Sequence, residues 1–291
     1  MRVKPISIAI PYHGNRVKWV KQTVTLNHNF NFIKEIVITV DPCDDFNVAV
    51  LRKALSIFPK VRIIENEKRL FVFRNKHKAV SECISEWVAL IDSDNVIGAT
   101  YFGPIILNTL VDNLIYCPEI GFPSLHYEEF SNKTIGFHDA VELIGNPKYD
   151  MLINTMNYLL HRESWLNALS GAIKSDYEPV SADSAWINYN CMKAGMALRV
   201  IRGCVYQHTV HDQSTYLLNQ KEGVTQYANI CKLMKGDLKS VKDFTGAEEV
   251  QSRKSRGVSP TPNISAIRGS SRDVFPEECT EHTNGFGLLS D

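Results

Sequence analysis

Trp87-Val88-Ala89-Leu90-Ile91 is an unbroken apolar run, and Asp92-Ser93-Asp94-Asn95 follows it without a spacer. A short apolar run that stops at a turn-forming cluster reads as a strand buried on both faces. Upstream the same unit recurs. Ile6 to Ile10 is a strand stopped by Pro11 and Gly14, Ile36 to Val40 is a second strand ending at Asp41-Pro42, and Val61 to Ile64 is a third, followed by Glu65-Asn66. Between them lie helical spacings: Val17, Val20 and Val24; Val48, Leu51, Leu55 and Phe58, closed by Pro59; and Arg74 to Ser85, with Ala79, Val80 and Cys83 on one face. Strand and helix in alternation, with near-continuous apolar strands, predict an α/β fold: a Rossmann-type central sheet, mostly parallel, with helices on both faces. Such sheets bind ligands beyond the carboxyl ends of their strands. Three of these four strand ends carry acids.

Asp92 and Asp94 straddle Ser93, and side chains two apart on extended backbone point the same way. Both carboxylates can therefore reach one cation, directly or through water, and hard oxygen ligands suit magnesium or manganese. Asp-Ser-Asp-Asn is also good turn chemistry; its place after the fourth strand of an α/β sheet is what favours a ligand.

The chain has 291 residues, with 32 Lys plus Arg against 32 Asp plus Glu, so no net charge draws it to nucleic acid, and none is expected as a partner. At 44% hydrophobic and 22% charged it has ample material for a core. The apolar run near the N-terminus is too short for a signal peptide, and no stretch is long enough to span a bilayer, so a cytoplasmic protein is expected. Seven cysteines, none spaced Cys-x-x-Cys, read as scattered thiols in a reducing compartment. The sequons at Asn132 and Asn263 would then stay unmodified. Arg253-Lys254-Ser255-Arg256 offers at most peripheral contact with a membrane.

Downstream of Gly98 the chain to Asp150 is rich in Gly, Pro, Asn and aromatics and reads as long loops over a site. Leu152 to His161 reads as a strand, Glu163 to Leu169 as a short helix, Asp183 to Lys193 as a helix ended by Gly195, and Leu198 to Tyr206 as a strand. The expected organisation is one domain over 1–235, in two halves of about 1–97 and about 98–235. A polar, weakly ordered tail over 236–291 follows.

Ile6 to Tyr12 resembles the opening strand of family 2 glycosyltransferases of the GT-A fold. Ile36 to Asp41 is similar to their second strand, Arg74-Asn75-Lys76 to their Arg-Asn segment, and Ser85 to Asp94 to the strand carrying their Asp-x-Asp motif. Ser181-Ala182-Asp183 resembles, with its first acid replaced by alanine, the acidic pair that supplies the family's base. Tyr206 to Thr215 is similar to the segment that places a metal-ligating histidine.

The resemblance implies an inverting transfer of sugar from a nucleotide diphosphate sugar, UDP-linked, to a hydroxyl of a glycan or other acceptor, with Mn2+ or Mg2+ as cofactor. It implies Asp94 as metal ligand, with Asp92 helping on ribose or through water, and His211 or His208 completing the shell. It implies Asp183 as general base, with Glu178 as the alternative. Pro11, Tyr12, Asp41, Arg74, Asp92 and Ser93 would form the donor pocket: Asp41 accepting from base or ribose, Tyr12 stacking on the base, Arg74 pairing with a phosphate or carboxylate. Phe122, Tyr127, Phe130 and Phe137 are the aromatics from which an acceptor-stacking surface would come, while Trp186 reads as core. Two rivals stand beside this reading. A sugar-nucleotide nucleotidyltransferase would need a Gly-rich basic loop after the first strand, which Pro11 to Arg16 does not supply. A non-catalytic binding protein on the same fold would have lost the base.

Overall fold

The computed structural model describes residues 3–44, 46–179, 181–209 and 220–255. Its parallel core is built from β1 (Ile6–Tyr12), β2 (Ile33–Val40), β3 (Val61–Glu65) and β4 (Trp87–Leu90). They are linked through α1 (Val17–Asn27), α2 (Val48–Leu55) and α3 (Phe71–Ser81). β1 lies between β2 and β4, with Ile8 opposite Ile36 on one side and Ala89 on the other. Every residue of β1 is buried, as a strand covered on both faces must be. The pleat divides it. Ile6, Ile8 and Ile10 join a core with Val20 and Val24 of α1 and Leu51 and Leu55 of α2. Ala9 faces the opposite core, with Phe73, Ala79 and Val80 of α3.

The second half completes the sheet less regularly. Its strands are β5 (Leu114–Phe122), the short β6 (Leu125–His126) and β7 (Thr134–Ile135), then β8 (Tyr158–His161) and β9 (Ala197–Gln207). The order across the sheet is β3-β2-β1-β4-β8-β5-β9-β7, with β6 beside β5. β8 runs antiparallel to both β4 and β5, which makes β5 and β9 parallel to β4 and brings their carboxyl ends to the same edge. The remaining helices are α4 (Ala99–Ile106), α5 (Phe137–Leu143), α6 (Pro147–Ile153), α7 (Arg162–Ala168), α8 (Asp183–Lys193) and α9 (Gln220–Ser255).

Two expectations are corrected here. The stretch 98–150 is not mainly loops: α4 and β5 lie inside it, and Tyr101, Phe102, Ile105, Ile115 and Cys117 are fully buried or nearly so. Its prolines misled. Pro118 sits in β5 where the pairing with β9 shifts register before Ile120, a place where a missing N–H is tolerated in a central strand. Leu152 to His161 is not one strand, because α6 reaches Ile153 and the chain turns at Asn157 (φ 124°) before β8.

The compact unit holding the sheet extends to Phe244, and α9 carries the chain without a break past residue 235, where the composition placed a boundary. Ile230 and Met234 of α9 join the core on the α3 side. Among the described residues no helix is long and apolar enough to cross a membrane.

Candidate active site

The acids forecast after β4 lie at the carboxyl edge of the sheet, and their turn is held from three directions. Asn157 Oδ1 accepts from the Asp92 backbone N–H at 3.1 Å and from Asn95 Nδ2 at 3.3 Å. Asn95 Oδ1 accepts from the Thr209 backbone N–H at 3.0 Å, and its carbonyl accepts from Thr23 Oγ1 at 3.2 Å. An asparagine with φ 124° stores backbone strain, and here it serves to fix the Asp92 main chain. The Thr209 bond ties the segment after β9, and with it His208, to this turn.

Each acid of the turn meets a cation. Lys76, reaching from α3 and 2% exposed, places Nζ 3.0 Å from Asp92 Oδ1 and 2.7 Å from Asp183 Oδ2. Arg16, in the loop after β1, places Nη1 3.1 Å from Ser93 Oγ and 3.5 Å from Asp94 Oδ2. Three carboxylates thus face two resident cations. Burial alone would lower the Lys76 pKa, but Asp183 and Asp92 outweigh it and hold the ammonium well above the usual lysine range. Burial pushes the Asp183 carboxyl up from its ordinary 3.8, with Lys76 opposing and Asp92 adding to the rise.

Asp183 opens α8, and the residue before it, Ala182, has no side chain to cap the helix. The loop before it is strapped by Arg74, whose Nε meets Glu178 Oε2 at 3.1 Å while Nη1 and Nη2 donate to the carbonyls of Ile173 at 3.0 Å and Ser175 at 2.8 Å. Arg74, expected to pair with a donor phosphate or carboxylate, is bonded to the loop that leads to Asp183 and pairs there with the Glu178 carboxylate. Glu178, the alternative base, is the carboxylate that Arg74 holds. Burial raises its pKa first of all, with Arg74 opposing.

Beyond β2, Asp41 is 3% exposed, and its Oδ1 accepts from Asn66 Nδ2 at 2.8 Å and the Leu70 N–H at 3.0 Å. It lines a cavity of about 590 Å³ with Cys43, Phe46, Asn47 and Asn66 beyond β2 and β3. Tyr12, expected to stack on a base, is fully buried: its ring packs on Phe46 at 5.2 Å and its hydroxyl accepts from the Arg16 N–H at 2.9 Å. A ring so enclosed has no open face. Pro11 is likewise buried within β1. Of the loop aromatics, Tyr127 and Phe130 are core, and Phe122 is 61% exposed.

His208 is the described histidine of the forecast pair; His211 lies outside the described residues. Burial lowers the His208 pKa, with Asp94 and Asp92 opposing, so the imidazole is neutral. Among the described residues its buried Nδ1 has no hydrogen-bond partner. Among the described residues no group of three His, Cys, Asp or Glu stands together as a metal site. The donor types nevertheless fit Mn2+ or Mg2+: two carboxylates two residues apart, and a neutral imidazole in their field whose Nδ1 has no partner among the described residues.

Sequence reasoning missed Arg16, Lys76 and Asn157. Lys76 follows the Arg74-Asn75 pair that was noticed, and its position on α3 facing two distant acids has no local signal. Nothing in the sequence marks Asn157.

Residues 7–142 match the family described as Glycosyl transferase family 2. The mannosyltransferase PcManGT from Pyrobaculum calidifontis, solved with GDP-Man and Mn2+, has a similar fold: TM-score 0.56 at 11% identity, over 78% of this chain and 64% of that one. S. aureus TarS 1-349, solved with UDP, gives TM-score 0.51 at 14% identity, over 79% of this chain and 65% of that one. The chain spans between 39% and 65% of the length of the solved structures it matches. No curated protein matches it in sequence.

Proposed function

From the premise that residues 7–142 carry the family 2 glycosyltransferase pattern on a GT-A fold, we propose that this chain is a metal-dependent, inverting glycosyltransferase. It moves a sugar from a nucleoside diphosphate donor, UDP-linked by preference, to a hydroxyl acceptor. The observation that carries this reading is that Asp92 and Asp183, far apart in the chain, share one buried ammonium beside the turn that bears Asp94.

In the transfer, the acceptor oxygen forms a bond to the sugar's anomeric carbon as the bond from that carbon to the diphosphate oxygen breaks. The electron pair leaves with the diphosphate and the acceptor proton passes to Asp183. A base must be ionised to take a proton, and Lys76 at 2.7 Å favours the ionised form. Asp94 and His208 would hold a divalent ion, with Asp92 adding to the field, and a bound ion would supply charge neutralisation for the leaving diphosphate. Arg16, whose side chain is 16% exposed, stands where it can turn from Asp94 to the phosphates. Asp41 would accept from base or ribose at the mouth of the 590 Å³ cavity. With no open face on Tyr12, the base would lie against the cavity wall formed by Phe46 and Asn66.

The test is release of nucleoside diphosphate from a panel of UDP- and GDP-sugars with Mn2+. Wild type should release it from one member of the panel, and Asp183→Asn should lose release while still binding that donor. Near-normal release by Asp183→Asn would remove Asp183 as base.

A further inference from the structure

Lys76 is the most deeply buried charge in the site, and no part of the reading above needs it to touch a substrate. Its ammonium has three protons, and two are directed to Asp92 Oδ1 and Asp183 Oδ2. It projects from the middle of α3, which Phe73, Ala79 and Val80 anchor in the core, so the base of the side chain is fixed. Asp92 is fixed from its other side by the Asn157 bond to its main chain. Asp183 has no cap residue before it, and its loop is held by the Arg74 strap. The ammonium is thus the direct side-chain link between an acid at the end of β4 and an acid at the start of α8, elements that belong to different halves of the chain.

We propose that Lys76 is a positioning residue for the transfer step: its ammonium sets the Asp183 carboxylate in register with the Asp-Ser-Asp turn, so that the proton acceptor stands at a fixed distance from the donor's reacting carbon. The contrast with Arg16 supports the division of labour. Arg16 contacts the same turn from a loop, at 3.1 Å from Ser93 Oγ and 3.5 Å from Asp94 Oδ2, with its side chain 16% exposed and free to exchange partners when a diphosphate arrives; Lys76, with a side chain 3% exposed, is enclosed with its two acids. The inference rests on the reading of Asp183 as the base.

The experiment uses the full chain and Lys76→Ala. Release of nucleoside diphosphate from UDP-glucose, UDP-N-acetylglucosamine and GDP-mannose is measured with Mn2+, with and without added methylammonium, beside the melting shift given by UDP or GDP with Mn2+. The expected result is a fall in kcat of about 100-fold with donor KM within about threefold. Methylammonium should then restore activity in a concentration-dependent way in Lys76→Ala and not in wild type. A purely structural lysine would not give amine rescue at unchanged KM. If Lys76→Ala does not fold, Lys76→Ala/Asp92→Asn removes one buried charge of each sign, and the same rescue is read there.

Retained kcat in a folded variant overturns the proposal, and so does a loss of kcat that no amine restores. The failure of the underlying reading has a different signature: wild type itself would give neither a metal-dependent melting shift nor nucleotide release.

Discussion

The two halves of the sheet are built by different rules. From β1 to β4 each strand is a short apolar run, each helix has its own spacing, and β1, β2 and β3 lie side by side in chain order, with β4 returning to the other side of β1. From β5 to β9 the chain threads back: β8, only Tyr158–His161, wedges antiparallel between β4 and β5, and β9 pairs with β5 across about eighty residues. The first half carries Asp41, Asp92 and Asp94, the residues proposed to face the donor. The second supplies Asp183, His208 and Asn157, which reach the same edge only through long-range pairing. A parallel half built from local repeats can present a binding edge by itself; Asp183, the proposed base, has to be delivered to it by the rest of the fold.

Substitutions should separate along that line, and the largest effects come first. Asp94→Ala should abolish metal-dependent nucleotide binding, whereas Asp183→Asn should keep binding and lose about 10²- to 10⁴-fold in kcat. Steady-state kinetics beside calorimetric titration of the nucleotide would test this. Loss of binding in both variants would merge the halves functionally.

Arg74 belongs to the first half by sequence, but its guanidinium bonds the loop before Asp183. Arg74→Lys keeps the charge and loses the fork, so kcat should fall about tenfold with donor KM unchanged. A raised KM at constant kcat would return Arg74 to the donor phosphates.

Gly121→Ala probes the second half's packing, because a Cβ there would meet the Tyr206 ring at 2.6 to 2.8 Å. Overpacking of this kind should cost about 1–3 kcal/mol of stability in denaturant titration. A variant as stable as wild type would mean the β5–β9 edge can yield.

The smallest effect is in pH. Burial lowers the pKa of His13, His77 and His208 below 6.5. The unfolded chain therefore binds more protons in the window below 6.5, and metal-free stability should fall as pH drops through it, levelling below the lowered native values. His77 stacks on Trp165 away from the acids, and His77→Gln should make the decline shallower by at most about 1.4 kcal/mol per pH unit. An unchanged slope would mean His77 takes its proton equally well in both states.

The first half was legible because parallel strands covered on both faces leave an apolar signature, and because Asp92-Ser93-Asp94 sits directly after one. The second half was misread where prolines suggested loops. Pro118 falls at a register shift, a tertiary accommodation that no local pattern announces. Residue types at the site were readable, but their partners were not. Tyr12 looked like a platform and is enclosed by Phe46. Arg74 looked like a phosphate ligand and straps a loop about a hundred residues away. Lys76 entered the sequence reading only as the residue after Arg74-Asn75 and is the buried link between two acids.

The central claim is that the edge beyond β1 to β4 is a metal-assisted nucleotide site. Thermal unfolding of the full chain with UDP, GDP, CMP and dTDP, each with and without Mn2+, in wild type and Asp94→Ala, tests it most directly. A ligand that binds only the native state adds about 2.7 kcal/mol of stability at a hundredfold excess over its dissociation constant, so a true site gives a clear shift. The account predicts a rise with a nucleoside diphosphate, UDP foremost, that requires Mn2+ and disappears in Asp94→Ala. No rise with any nucleotide, or a rise that Asp94→Ala leaves intact, would contradict it.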